Sequence, residues 1–170
     1  MPESEVRIRV RYKETDNMGV VHHSNYVNYY EVARTEMMRG RGLSYKEMEA
    51  RGVMLPVREV QLNYLAPAYY DDLLTVRIRI AERPGVKLRF EHEIYNEAGD
   101  LINTGTVVLV FVDAVTRRPL RAPQGVFGTV RFLNRFRQAA VVGSGIFRTA
   151  RNPEAVVLPK VRTGRMEGTQ

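Results

Sequence analysis

Four consecutive β-rich segments in the middle of the chain constrain its fold more than any other feature. They are residues 58–65, 73–83, 86–96 and 101–113, and the short connections between them are rich in Pro, Gly and Asp. Connections of this kind join antiparallel neighbours. Within residues 73–83 apolar and polar side chains alternate, which indicates a sheet with one buried and one solvated face. The rest of the chain must therefore cover that buried face.

A strand and a long helix are predicted before this sheet pattern. Residues 6–12 alternate strictly, which predicts a half-buried strand with Val6, Ile8, Val10 and Tyr12 on its buried side. Ser24 is a favourable N-cap for the helix that follows. The apolar stripe of this helix consists of Tyr26, Tyr30, Ala33 and Met37. We expect the helix to end near Gly40 and to cover the buried face of the sheet.

A second, shorter helix is predicted by a capping box. Ser44 and Glu47 stand three residues apart, so each side chain satisfies a free backbone amide of the other, and Gly52 marks the end of the helix. The order is thus strand, two helices and a β meander. It predicts an α+β domain over residues 1–125, with a C-terminal extension over residues 126–170.

Composition excludes several classes of site and protein. The 170 residues include no Cys, which rules out disulfides, thiol nucleophiles and cysteine-containing zinc sites. The adjacent pair His22 and His23 is a poor chelate, so we expect no metal. The sequence has no run of eighteen apolar residues and begins with an alternating, charged segment, so we expect a cytoplasmic protein.

The net charge of +7 is concentrated in the C-terminal extension. Residues 131–170 contain eight Lys or Arg and two Glu, so they carry +6, and the rest of the chain is nearly neutral. The main domain was therefore not built as a phosphate-binding surface, although the extension has the charge to contact acidic surfaces. A short helix is expected within residues 126–136, and the remainder is expected to be mostly disordered.

The loop of residues 12–26 concentrates polar groups before the long helix. Asp16, Gly19, His22 and His23 all precede the helix start, where free backbone amides and the helix dipole favour an oxyanion. An ionised carboxylate there can act as a nucleophile or as a base toward water. A second interpretation is an ordinary turn in which Asp16 bonds its own backbone. Residue chemistry alone leaves both interpretations open.

The stretch of residues 12–34, YKETDNMGVVHHSNYVNYYEVAR, resembles the signature of the hotdog-fold acyl-CoA thioesterases. The branch is the one that includes 4-hydroxybenzoyl-CoA thioesterase and the Tol–Pal-associated thioesterases. The likeness continues through residues 55–57, 64–68, 71–73, 97–99 and 111–113, then Pro119 and Pro123. The resemblance implies an antiparallel sheet wrapped around one long helix, and a homodimer or homotetramer formed by sheet pairing.

The resemblance also assigns roles to residues of the loop. Asp16 matches the catalytic aspartate, and His23 matches a histidine that often follows it, although a histidine at a helix start can also serve only as a cap. The amides around His23 and Ser24 would receive the thioester oxygen. Residues expected to form the oxyanion and substrate-binding region are Gly19, Val21, His22, Ser24, Tyr26 and Tyr30. The branch usually has an aromatic residue in place of His22, which can line the acyl pocket or be a polar loop residue.

Further residues are candidates for secondary roles. Coenzyme A carries phosphates, so basic residues should line its entrance. The candidates are Lys87, Arg89, Arg117 and Arg118, although the simpler interpretation of each is a solvated sheet or loop residue. Glu31 is interpreted as a helix or dimer-contact residue with Arg34 as its partner. His92 is interpreted as a hydrogen-bonded sheet residue.

Residues 106–112 lack charge and proline, so we expect them to form an open sheet edge that a second copy covers. The expected activity is hydrolysis of an acyl- or aroyl-CoA without a further cofactor. An acyl-chain hydratase uses a different histidine and acid arrangement, which the Asp16 loop disfavours. A non-catalytic acyl-CoA binding module is the alternative. The acyl group itself is not predicted.

Overall fold

One six-stranded sheet forms the centre of the molecule. The computed structural model describes residues 3–123 and 141–142. In chain order the elements are β1 (Glu3–Arg9), a 3-10 helix (Tyr12–Glu14), α1 (Asn25–Arg39), α2 (Tyr45–Ala50), β2 (Val53–Met54), β3 (Val57–Tyr64), β4 (Leu73–Ile80), β5 (Lys87–Tyr95), β6 (Leu101–Val110), β7 (Val112–Asp113) and β8 (Val141–Val142). This order confirms the predicted α+β architecture.

The strands of the main sheet lie in the order β3, β6, β5, β4, β1, β8. All neighbours are antiparallel except β1 and β8, which pair in parallel through Arg7 and Ile8. The prediction that residues 106–112 form an open edge is wrong, because β6 lies between β3 and β5. Its uncharged sequence reflects an interior position. β3 and β8 are the two edge strands of this sheet, and no described strand pairs with the outer side of β3.

Helix α1 covers one face of this sheet, as its apolar stripe predicted. The buried side chains of α1 are Tyr26, Tyr29, Tyr30, Ala33, Arg34, Met37 and Met38. The helix approaches β6 closely at Gly105, where an added Cβ would lie 2.5 Å from the Tyr30 hydroxyl oxygen. Only glycine allows this approach, so Gly105 sets the distance between the helix and the sheet.

The first strand ends earlier than predicted. Val6, Ile8 and Val10 are buried as expected, but Tyr12 is 79% exposed, so its predicted place on the buried face is wrong. The alternation breaks because the chain turns at Arg11 into the 3-10 helix. Glu14, which is 3% exposed, takes the inward position instead.

The second helix confirms the capping box. The Glu47 amide donates to Ser44 Oγ at 3.2 Å, and the Ser44 amide donates to Glu47 Oε2 at 2.9 Å. After this helix the two-residue strand β2 pairs with β7, a contact that the sequence pattern did not predict. This two-stranded ladder joins the segment after α2 to β7, which follows directly after β6.

The predicted helix within residues 126–136 lies outside the described residues, and so does the basic extension, apart from β8. None of the helices in residues 3–123 combines the length and the hydropathy needed to cross a bilayer.

Candidate active site

The loop between the 3-10 helix and α1 is closed on itself. The Asp16 amide donates to the Val20 carbonyl at 3.0 Å, and the Gly19 amide donates to the Asp16 carbonyl at 2.9 Å. Gly19 has φ +76°, a left-handed conformation that favours glycine. The Val21 amide bonds the Ala68 carbonyl at 2.8 Å, which attaches the loop to the segment after β3. The loop therefore has a defined shape.

Asp16 is half-buried at the tip of this loop. Its Oδ1 accepts a hydrogen bond from the Met18 amide at 2.8 Å, so the predicted Asx turn is present. Its Oδ2 accepts no hydrogen bond within residues 3–123. The turn and the catalytic interpretation are therefore compatible, because the turn orients the carboxylate through one oxygen and leaves the other available.

The start of α1 is organised by His22. The His22 amide donates to the Glu14 carbonyl at 2.8 Å, and the His22 carbonyl accepts from the Asn25 amide at 2.9 Å. Ser24 occupies the N-cap position as predicted, but its side chain accepts no helix amide and instead lies 2.9 Å from His22 Nδ1. The imidazole of His22 is thus a polar loop group at the helix start.

Two backbone amides remain available beside it. The Ser24 amide makes only a 3.4 Å bond to His22 Nδ1. The His23 amide donates to no acceptor in the described part of the chain. These are the positions where the resemblance places the oxyanion-binding amides. The geometry at the start of α1 therefore leaves room for a substrate oxygen to accept two hydrogen bonds.

His23 is exposed, and its ring centroid lies 4.1 Å from that of His22. Its carbonyl accepts a hydrogen bond from the Tyr64 hydroxyl at 3.0 Å. Tyr64 ends β3, so the edge strand of the sheet contacts the loop directly. The His23 imidazole therefore faces solvent at the junction of the loop and the open sheet edge.

The tyrosines of α1 lie beneath this surface. Tyr26 packs edge-on against Tyr64, with ring centroids 5.2 Å apart. The Tyr30 hydroxyl donates to Asn103 Oδ1, and Asn103 Nδ2 donates to the Asn63 carbonyl at 2.9 Å. Burial raises the pKa of both Tyr26 and Tyr30, so these phenols stay protonated. Tyr30 is thus part of a buried polar connection between α1, β6 and β3.

Glu14 is a residue that the sequence reasoning missed. Its carboxylate is buried and accepts hydrogen bonds from the Arg11 side chain and amide and from the Tyr29 hydroxyl. Burial raises the pKa of Glu14, but these hydrogen bonds outweigh burial and hold the pKa below its usual value. The spacing of Arg11 and Glu14, opposite charges three residues apart, was the available signal.

Two further predictions concern residues away from the loop. Glu31 Oε2 lies 3.5 Å from the Arg34 guanidinium, which confirms that pairing. His92 is a buried residue of β5, stacked on Tyr30 with ring centroids 4.1 Å apart. Neither ring nitrogen has a hydrogen-bond partner of normal geometry in the described part of the protein, although the backbone at Tyr30 and at Gly105 lies close enough to favour the protonated ring. Burial lowers the pKa of His92 to about 3.

The four basic residues considered for coenzyme A are exposed and lie away from Asp16 in the same chain. Lys87 and Arg89 begin β5 opposite the end of β6, and Arg117 and Arg118 follow β7. The Asp16 loop lies at the other end of the sheet, beside the end of β3. A single chain therefore does not bring these residues together.

An exposed apolar surface surrounds the loop and the end of β3. We call it the aromatic rim; its members are Tyr12, Met18, Tyr64, Leu65, Tyr69 and Tyr70, each at least half exposed. Tyr12 and Tyr70 pack edge to face, with centroids 5.5 Å apart. Exposed apolar clusters of this kind mark binding surfaces. Within residues 3–123, no group of three or more His, Asp or Glu is placed to hold a metal ion.

Comparison with known proteins shows which family the chain belongs to. The family model described as Thioesterase-like superfamily matches residues 10–136. The acyl-CoA thioester hydrolase YbgC of Escherichia coli is 38% identical over 119 residues, which cover 70% of this chain and 89% of that protein. The match therefore spans nearly the full length of that protein.

Two solved structures have the same fold. The DHNA-CoA thioesterase from Staphylococcus aureus superposes with a TM-score of 0.68 at 35% identity, covering 71% of this chain and 81% of that one. The hypothetical protein TT1821 from Thermus thermophilus gives a TM-score of 0.68 at 41% identity, covering 72% and 93%. With the sheet and central helix already described, these matches place the chain in the thioesterase-like superfamily, among its hotdog-fold acyl-CoA thioesterases.

Proposed function

We propose that this protein hydrolyses acyl-CoA thioesters to a free acid and coenzyme A, with Asp16 as the catalytic carboxylate. The observation that carries the proposal is the loop geometry. Within the described residues one carboxylate oxygen of Asp16 accepts no hydrogen bond, and the His23 and Ser24 amides at the start of α1 offer donors for a developing oxyanion. A carboxylate and a pair of amides in one loop are the groups that acyl transfer to water requires.

The reaction has two possible courses. In one, the Asp16 carboxylate takes a proton from water as the water oxygen adds to the thioester carbon. In the other, the carboxylate itself adds, and the resulting anhydride is hydrolysed by water. In both courses the carbonyl oxygen becomes an oxyanion held by the two amides, the carbon–sulfur bond breaks, and coenzyme A leaves as the thiolate. In this proposal His23 orients the substrate or the attacking water.

We also propose that the active unit is a homodimer, or a homotetramer made of two such dimers, joined through the outer edge of β3. No described strand pairs with this edge, and the aromatic rim adjoins it. Two copies of β3 paired about a two-fold axis run antiparallel. The far end of one sheet then lies beside the Asp16 loop of the other. In this arrangement Lys87, Arg89, Arg117 and Arg118 reach the coenzyme A phosphates from the partner chain.

The alternative is a module that binds acyl-CoA without cleaving it. The experiment measures thiol release by the wild-type protein from benzoyl-, short-chain, medium-chain and long-chain acyl-CoAs, together with equilibrium binding of the same compounds. Release of thiol at catalytic turnover from any of them supports the proposal. Binding without thiol release would instead establish the non-catalytic module.

The substrate's acyl group is the other open part of the function. The same panel identifies it, because a single methylene changes specificity by only about 1–3 kcal/mol, too little for the contacts of the described residues to select among acyl classes. A cytoplasmic location and a contact of the basic extension with acidic surfaces remain predictions from the sequence. No further cofactor is proposed.

A further inference from the structure

Glu14 is hydrogen-bonded to the chain before the loop and to the start of α1, on both sides of the groups that carry the proposed chemistry. Its backbone carbonyl accepts hydrogen bonds from the His22 amide and from Asn25 Nδ2, both at 2.8 Å. In the sequence these two donor residues flank His23 and Ser24, whose amides are the proposed oxyanion donors. The carbonyl of Glu14 therefore determines where the start of α1 lies relative to the strand end that leads into the loop.

The side-chain carboxylate of Glu14 is held as firmly as its backbone carbonyl, by donors from Arg11 and Tyr29. Oε2 accepts from the Arg11 amide at 2.8 Å and from the Tyr29 hydroxyl at 2.9 Å, and Oε1 accepts from Arg11 Nε at 2.7 Å. Arg11 precedes the loop and Tyr29 lies on the buried face of α1. One side chain thus ties the entry of the loop to the helix that follows it, and it stands two residues before Asp16.

The free-energy cost of burying the Glu14 carboxylate indicates that this residue has a role in setting the position of the loop. A buried carboxylate is unfavourable unless it is fully hydrogen-bonded, and Glu14 is only 3% exposed. Its four donors satisfy that requirement, including the Arg11 guanidinium nitrogen that completes the ion pair. An apolar residue would fill the same space without these bonds, but it would not define the position of the loop.

We propose that Glu14 is the positioning residue of the site. It fixes the position of Asp16 relative to the His23 and Ser24 amides at the start of α1. The inference rests on the proposed function for its catalytic consequence. Glu14 itself does not touch the substrate, because its side chain points into the protein beneath the loop. Its replacement should therefore lower kcat far more than it changes KM.

The test compares Glu14→Gln with Glu47→Gln. Gln at position 14 keeps the volume but replaces one acceptor oxygen by a donor nitrogen, which then faces other donors. Glu47 is the matched control, since it closes an equivalent capping box at α2, beyond the opposite end of α1. We expect kcat to fall by about tenfold to a hundredfold in Glu14→Gln, the range for a displaced catalytic group, with KM within about threefold. Glu47→Gln should keep the wild-type kcat.

A second readout does not depend on activity. Hydrogen exchange of the Gly19 and His22 amides, which are bonded within the loop, should accelerate in Glu14→Gln while amides of β5 stay protected. If the wild type hydrolyses no acyl-CoA, the proposed function fails but this exchange result still decides the role of Glu14. Unchanged exchange, an unchanged kcat in an active enzyme, or an equal loss of kcat in Glu47→Gln would each overturn the inference.

Discussion

Two carboxylates, separated by a single residue in the chain, have opposite surroundings. Glu14 is buried and receives four hydrogen bonds, and its pKa is lowered. Asp16 is half-buried and receives one side-chain hydrogen bond, from the Met18 amide. A carboxylate with saturated acceptors is suited to holding structure, whereas one with a free oxygen is suited to reacting. This contrast separates the positioning role from the catalytic one.

The buried imidazole of His92 predicts a pH dependence of stability. Its pKa in the folded protein is lowered to about 3 from 6.5, so the unfolded chain binds an extra proton between these values. The contribution of the neutral His92 to the free energy of unfolding is therefore fully present above pH 6.5, and it is lost as the pH falls toward 3. The loss should approach about 1.4 kcal/mol per pH unit in the middle of that window.

Urea unfolding of the wild type and of His92→Phe between pH 4 and pH 8 measures this contribution. Phe keeps the ring that stacks on Tyr30 but cannot be protonated. We expect the free energy of unfolding of the wild type to fall more steeply with acid than that of the variant. Both proteins retain Glu14, so its own acid sensitivity cancels in the difference. Parallel curves would show that His92 is not the titrating group.

At the scale of elements, local patterns predicted most of the fold. The strands, the helix stripe and the Ser44 capping box follow from alternation, from 3.6-residue periodicity and from a three-residue spacing. Strand order could not be obtained this way. Residues 106–112 look like an exposed edge or a buried interior strand equally well, because a run of apolar residues carries no information about its neighbours.

The contact between α1 and β6 predicts a large effect from a single methyl group. In Gly105→Ala the new Cβ would lie 2.5 Å from both the Tyr30 hydroxyl and the Gln61 carbonyl. We expect a loss of about 1–3 kcal/mol or more in the free energy of unfolding, as for other overpacked cores. Gly85→Ala is the control, since no atom of the described residues lies within 4 Å of its Cβ. Equal thermal stability of the two variants would show that the helix is not held at this distance.

The outer edge of β3 predicts the assembly. Val57 and Leu65 lie at the two ends of this edge and are 49% and 57% exposed, so lysine at both positions should leave the fold intact. If the edge forms the dimer, buried lysines should shift sedimentation from dimer to monomer and lower kcat, because the partner's residues leave the site. Val115→Lys, at a position 88% exposed in the turn after β7, should sediment as the wild type does. A wild type that is monomeric at micromolar concentration would contradict the assembly.

At the scale of the whole molecule, the fold brings one loop, one helix start and one sheet end together. The residue types of the loop indicated an oxyanion site at the helix start but left Asp16 open between a turn residue and a reactive carboxylate, and the family resemblance assigned its catalytic role. The sequence did not predict Glu14 or the contact of Tyr64 with the His23 carbonyl. Both depend on how the strand turns after Arg11 and on which strand lies at the edge, and these are properties of the assembled sheet.

The most direct test of the central claim is the turnover of an acyl-CoA by the wild type, Asp16→Asn and Asp113→Asn. Asp113 is a matched control, because its Oδ1 also accepts amides from the residues that follow it, here at the far end of the sheet. We predict that the wild type hydrolyses the thioester, that Asp16→Asn loses about a hundredfold or more in kcat, and that Asp113→Asn retains it. Equal turnover by the wild type and a folded Asp16→Asn would contradict the account.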